Sequence, residues 1–108
     1  MPLNPDVADM IASARSFAER ADPVSLLQCS KNSAAMLQNA RQFVVATAEL
    51  DELFANAERA CRDLGRVDAW NREQLAEAKA AVDVALTALR PHLDRAEPND
   101  HAKALGLD

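Results

Sequence analysis

Residues 23–64 read PVSLLQCSKNSAAMLQNARQFVVATAELDELFANAERACRDL. The stretch contains no Gly, and its single Pro stands first. Small or apolar residues recur in alternating steps of three and four: Leu26, Cys29, Ser33, Met36, Ala40, Phe43, Thr47, Leu50, Phe54, Ala57, Cys61 and Leu64. That spacing is a helical seam with a period close to that of a coiled coil. It predicts one long helix over about 23–64. The alternative is two helices with a break near 30–33, where Ser30, Asn32 and Ser33 are better caps than interior helix residues.

Working outward, the N-terminal segment carries a complete helix start. Asn4 suits the cap and Pro5 the first helical position. Asp6 and Asp9 favour the positive end of the helix dipole. Val7, Met10, Ile11, Ala14, Phe17, Ala18 and Ala21 then share one face. Asp22-Pro23 marks a corner, with Asp22 as a capping side chain. Beyond the long stretch, Gly65 reads as a standard helix-terminating residue, one that can adopt positive φ. Asn71 and Gln74 form a candidate capping box, and Trp70 and Leu75 a candidate hydrophobic staple, with Asp68 as a competing cap. The last helix runs through Leu75, Val82, Leu86, Leu89 and Leu93 toward Ala96, and Pro91 either kinks it or ends it near Leu89.

These signals predict an all-α antiparallel bundle of three to four helices built on the long central helix. Residues 1–97 form one domain. Residues 98–108 are expected to be a frayed tail, or else one helical turn capped by Asn99 and stopped by Gly106. Alanine is the most abundant residue, against two Gly and no Tyr, which fits helices packed over small side chains.

Oligomeric state follows from helix continuity. With one long helix the molecule is two helices thick, and a second apolar stripe (Leu37, Val44, Val45 and Ala48) needs a partner. The simplest partner is another copy about a two-fold axis, so a homodimer is expected. A foreign protein is the other occupant of that stripe. Glu49, Asp51, Glu52 and Glu58 form an acidic segment that suits a basic partner, or plain solubility and pairing with arginines.

The chain carries no specific chemical signature. A net charge of −5 argues against a nucleic-acid or anionic-membrane surface. Arg72 and Lys79 share their helix face with Glu73, Glu77 and Asp83, which is a solvated face and not a DNA-reading one. No Glu is followed by His at the spacing of di-iron bundles, and Glu97 with His101 lies among turn residues. Arg95 and His101 make an R-x5-H spacing similar to that of the HEPN ribonucleases, but Pro98 lies inside it where a continuous helix is needed. Cys29 and Cys61 lack a C-x-x-C arrangement and sit on the seam. In one helix they would be about 48 Å apart, too far for a bridge. No phosphate-binding or dinucleotide fingerprint is present, and no cofactor is expected. No signal peptide or membrane span is read in the sequence, which points to the cytoplasm. The expected function is non-enzymatic: a small acidic adaptor, chaperone or inhibitor of bacterial or phage type. The alternative is a self-assembly subunit with no foreign partner.

Overall fold

In a computed structural model, which describes residues 4–107, the chain forms five helices: α1 (Pro5–Arg20), α2 (Leu26–Arg41), α3 (Ala48–Leu64), α4 (Arg72–Asp94) and α5 (Asp100–Ala104). The first four make an antiparallel up-down-up-down bundle, 44 Å long. Its register is read from bonds between neighbours. Ser33 Oγ donates to the Ala14 carbonyl and Ser30 Oγ to the Cys61 carbonyl. Lys79 Nζ donates to the Glu19 carbonyl, and Arg15 pairs with Asp83 at 3.3 Å, which closes the ring between α1 and α4. The all-α bundle agrees with the sequence.

The long central helix does not exist. The stretch is helical through Ser30–Ser33 and breaks instead at 42–47. Both departures have physical causes. Ser30 and Ser33 are buried and give their hydroxyl protons to carbonyls of α3 and α1, so they tie helices together and cap nothing. At 42–47 the β-branched Val44, Val45 and Thr47 favour extended backbone. That backbone finds partners far along the chain. Val45 N–H donates to the Glu97 carbonyl at 2.8 Å, Asn99 N–H donates to the Phe43 carbonyl at 3.2 Å, and Val44 forms an isolated antiparallel bridge with Pro98. Thr47 then caps α3, its hydroxyl accepting from Leu50 N–H at 3.1 Å. The seam survives as the core in both halves: Cys29, Ser33, Ala40, Leu50, Phe54, Ala57, Cys61 and Leu64 are all buried. It folds back on itself, because both helices face one interior.

Helix starts follow local chemistry. Asn4 Oδ1 accepts from Asp6 N–H at 2.8 Å, and Pro5 opens α1. Asp22 Oδ1 gathers Ser25 N–H, Ser25 Oγ–H and Val24 N–H in the first corner. Donation from the Ser25 backbone, then from its hydroxyl, lowers the Asp22 pKa below its ordinary value. Asn71 Oδ1 accepts from Glu73 and Gln74 N–H, both at 3.1 Å, and starts α4. Helix α4 continues through Pro91 to Asp94, with Leu89 and Leu93 fully buried on either side of it. The C-terminal segment is the single helical turn and not a frayed tail. Asn99 Oδ1 caps it through Ala102 N–H, Ala102 is fully buried, and Gly106 closes it at φ +74.

Gly65 is a correction. Its φ is −69, so the positive-φ role falls away. Space is the reason for glycine there. A Cβ at this position would stand 2.6 Å from Ser30 Oγ and 3.0 Å from Ser30 Cβ. Ser30 cannot swing away without losing its bond to the Cys61 carbonyl. Gly65→Ala is therefore expected to destabilise the bundle by about 1–3 kcal/mol, as overpacking does. Ser30→Ala in the same chain should recover part of that loss in a urea-unfolding double-mutant cycle. A neutral or stabilising Gly65→Ala would contradict the close approach.

Candidate functional site

The topology sorts the chain's features to two ends. The α1–α2 and α3–α4 turns lie together at one, the turn end. The α2–α3 loop lies at the other, the terminal end, with the start of α1 and with α5.

The stripe expected from sequence is not one surface. Leu37 is fully buried in α2, and Val44 is 7 % exposed inside the α2–α3 loop. Val45 is 40 % exposed, and Ala48 is exposed at the start of α3. Four residues that share a face on a continuous helix are split between core, loop and surface once the helix breaks. The acidic segment is also dispersed. Asp51 and the buried Glu58 both pair with Arg41, at 2.9 and 3.5 Å, while Glu49 pairs with His92 at 3.1 Å. Glu52 is exposed and is in no ion pair among the described residues. Three of the four carboxylates thus have a partner on a neighbouring helix, and only Glu58 is buried, while the side chains of Glu49 and Asp51 stay 70 % and 46 % exposed.

What the terminal end offers is a hollow of about 470 Å³ between the α2–α3 loop and the C-terminal turn. Its apolar lining is Val44, Val45, Ala46, Leu50, Phe54 and Pro98; Asp51, Glu97, Asp100, Arg41 and Lys103 supply its charge. The Arg41 guanidinium lies 5.8 Å from the Phe54 ring centroid. Asn99 fastens the far wall, its Nδ2 donating to the Gln42 carbonyl at 2.7 Å and to the Val44 carbonyl at 3.3 Å. His101 stacks on Phe43 at 5.3 Å, away from Arg95, whose guanidinium instead reaches His92 Nδ1 at 3.5 Å. A second hollow of about 310 Å³ shares Val45, Leu50 and Glu97 with the first. The arginine of the larger hollow is already engaged by Asp51 and Glu58, while Glu97, Asp100 and Lys103 are in no ion pair among the described residues.

The turn end is different. Trp70 is 81 % exposed, Val24 93 % and Leu27 59 %. The sequence pairs Trp70 with Leu75 as a staple, and the structure does not. Asp68 Oδ1 takes Trp70 N–H at 3.0 Å, and Gln74 Oε1 reaches Asp68 N–H at 3.4 Å in place of Asn71 N–H. That turn puts Ala69 inward, 9 % exposed, and leaves the indole outside. Arg20, Lys31, Arg62 and Arg72 are exposed at this end and are in no ion pair among the described residues. Its carboxylates Asp22, Asp63 and Asp68 are held by turn N–H groups or by Arg66, whereas Glu19 and Glu73 are not.

The cysteines face the interior. Cys61 is fully buried, donates its thiol to Ser33 Oγ at 3.4 Å, and has its pKa raised by burial. Both cysteines are free thiols. Among the described residues no group of three His, Cys, Asp or Glu is placed to hold a metal ion, and no helix is long and apolar enough to cross a membrane. Compared with protein-family models, with curated proteins and with solved structures, the chain matches none.

Proposed function

We propose that the chain is a non-enzymatic protein-interaction module that docks its turn end onto another protein, with Trp70 as the anchor. The observation that carries this reading is the exposure of the chain's single tryptophan at the end of the bundle that also exposes Val24 and Leu27. Tryptophan is enriched among the few residues that dominate binding energy, and apolar side chains grouped on a surface mark contact sites. The turn chemistry at Asp68 and Ala69 supports it, because it presents the indole outward. On this reading the protein is a cytosolic adaptor or inhibitor of the bacterial or phage accessory kind. Its contact surface is the turn end, in place of the Leu37–Ala48 stripe and the acidic segment.

A photo-crosslinking residue in place of Val24 tests it in the producing cells. It is expected to give a discrete protein adduct that Trp70→Ala abolishes. Trp70→Ala should shift stability by no more than about 0.5 kcal/mol, as for an exposed residue without structural bonds. An adduct that persists at full yield without the indole, or that forms equally from the exposed Val84 on α4, would sink the proposal.

A further inference from the structure

The outer face of α4 is a second surface, separate from the turn end. At about 100° per residue, Ala80, Ala81, Val84, Thr87, Ala88 and Pro91 lie within about 60° of one line along the helix, and all six are exposed. Val84 stands at the centre of that line and is 68 % exposed. Between Glu77 and Arg95, about 27 Å along the axis, the sector holds no charge. The charged and titratable residues of α4 between those limits are turned aside and engaged. Asp83 pairs with Arg15, Arg90 with Asp94 and His92 with Glu49, while Lys79 donates to the Glu19 carbonyl. Helix propensity does not account for the face. Val84, Thr87 and Pro91 are poor helix formers, and a helix position without a neighbour is better served by Lys, Glu, Arg or Gln.

We infer that a second copy of this chain covers this face, its α4 antiparallel to the first about a two-fold axis at Val84. Positions on the line are self-complementary about that residue. Ala80 and Ala88 each lie four positions from it and would oppose each other. Glu73 and Arg95 each lie eleven positions from it, so the axis brings Glu73 of one molecule level with Arg95 of the other, twice. Both are exposed and neither is in an ion pair among the described residues; the Arg95 guanidinium touches only the His92 ring, at 3.5 Å. Glu77 lies one helical turn from the same arginine, and Arg72 is turned about 120° off the line. A parallel pair would set Glu73 against Glu73 and Arg95 against Arg95, so the charges select the antiparallel one. The alanines let the two helix axes approach to about 8 Å, the short end of the range for packed helices. Such a dimer points its two turn ends in opposite directions and carries one Trp70 anchor at each.

The test is sedimentation equilibrium at low salt on the full chain and its variants, with circular dichroism and urea midpoints establishing that each variant folds. Wild type is expected to approach twice 11.7 kDa as concentration rises, and to go no further. Glu73→Arg and Arg95→Glu should each weaken that association about tenfold or more, because each puts two like pairs in place of two opposite ones. Their equimolar mixture should regain wild-type association, since the mixed dimer restores both opposite pairs. Charges that serve only the helix dipole predict no such recovery. Val84→Glu sets two carboxylates together on the axis and should leave a folded monomer. A wild type that stays at 11.7 kDa up to its solubility limit would overturn the inference. So would a dimer indifferent to Val84→Glu, or a mixture that associates no better than its parts. In cells, a photo-crosslinking residue at Val84 should return only a second copy of the chain. The adduct expected at Val24 is with another protein, so the two readings fail separately.

Discussion

Phe54→Ala is expected to lower the free energy of unfolding by about 3–5 kcal/mol. Phe54 is the largest of the fully buried side chains and stands near the middle of α3. Its ring contacts the interior on one side and carries the Arg41 guanidinium on another. Truncation loses the transfer free energy of the ring and leaves a void that four packed helices collapse into only partly. It also takes the aromatic support from Arg41, which pairs with the buried Glu58. Domains of this size are stable by only about 5–15 kcal/mol, so the variant should sit close to half unfolded under mild denaturant. Urea titration should show a lower midpoint with an unchanged slope. A loss under about 1 kcal/mol would mean that α3 does not pack as described.

Val44→Glu ranks second, with an expected loss of about 2–4 kcal/mol near neutral pH. Val44 is buried in the α2–α3 loop against Pro98, so the introduced carboxylate must be desolvated or must push the C-terminal turn away. Burial raises a carboxylate's pKa in the folded state. The sign follows from linkage: the folded form then binds the proton more tightly than the unfolded form. The penalty is therefore small below the unfolded-state pKa of about 4.3 and grows as pH rises through the raised folded value. Urea midpoints of variant and wild type should converge at acid pH and separate toward neutrality. If Val44 instead lay on an exposed helical stripe, the substitution would leave the midpoint unchanged and alter only the association of copies.

Helix starts and core positions were largely legible in the sequence. Asn4, Asn71 and Asn99 cap as their neighbours suggest, because a cap needs only residues three or four positions away. The seam from Cys29 to Leu64 identifies core residues, because burial imposes its period within each helix. The break at 42–47 was not legible. Phe43-Val44-Val45-Ala46 looks like helix that is apolar on two sides, and its true partners are the backbone groups of Glu97 and Asn99, more than fifty positions away. Periodicity carries no trace of such pairing.

The site suffered for the same reason. Leu37, Val44, Val45 and Ala48 form a stripe only if the helix is continuous. Glu49 and Glu58 look free until His92 and Arg41 are brought beside them. Trp70 is closer to a missed signal. Asp68 already competes as a cap in the sequence, and its capture of Trp70 N–H is what turns the indole outward. Gly65 shows the opposite error, a residue read for backbone freedom whose role is to let Ser30 approach.

The hairpin of α2 and α3 carries everything above, since it sets which loops share an end and what the hollow contains. It is tested by the distance between spin labels at Lys31→Cys and Arg59→Cys, both exposed positions, with Cys29 and Cys61 replaced by alanine. Packed neighbouring helices lie about 8–10 Å apart, and with the label arms the distance should stay below about 25 Å. A single distribution centred near 42 Å, the span of those residues along one helix at about 1.5 Å per residue, would contradict the bundle.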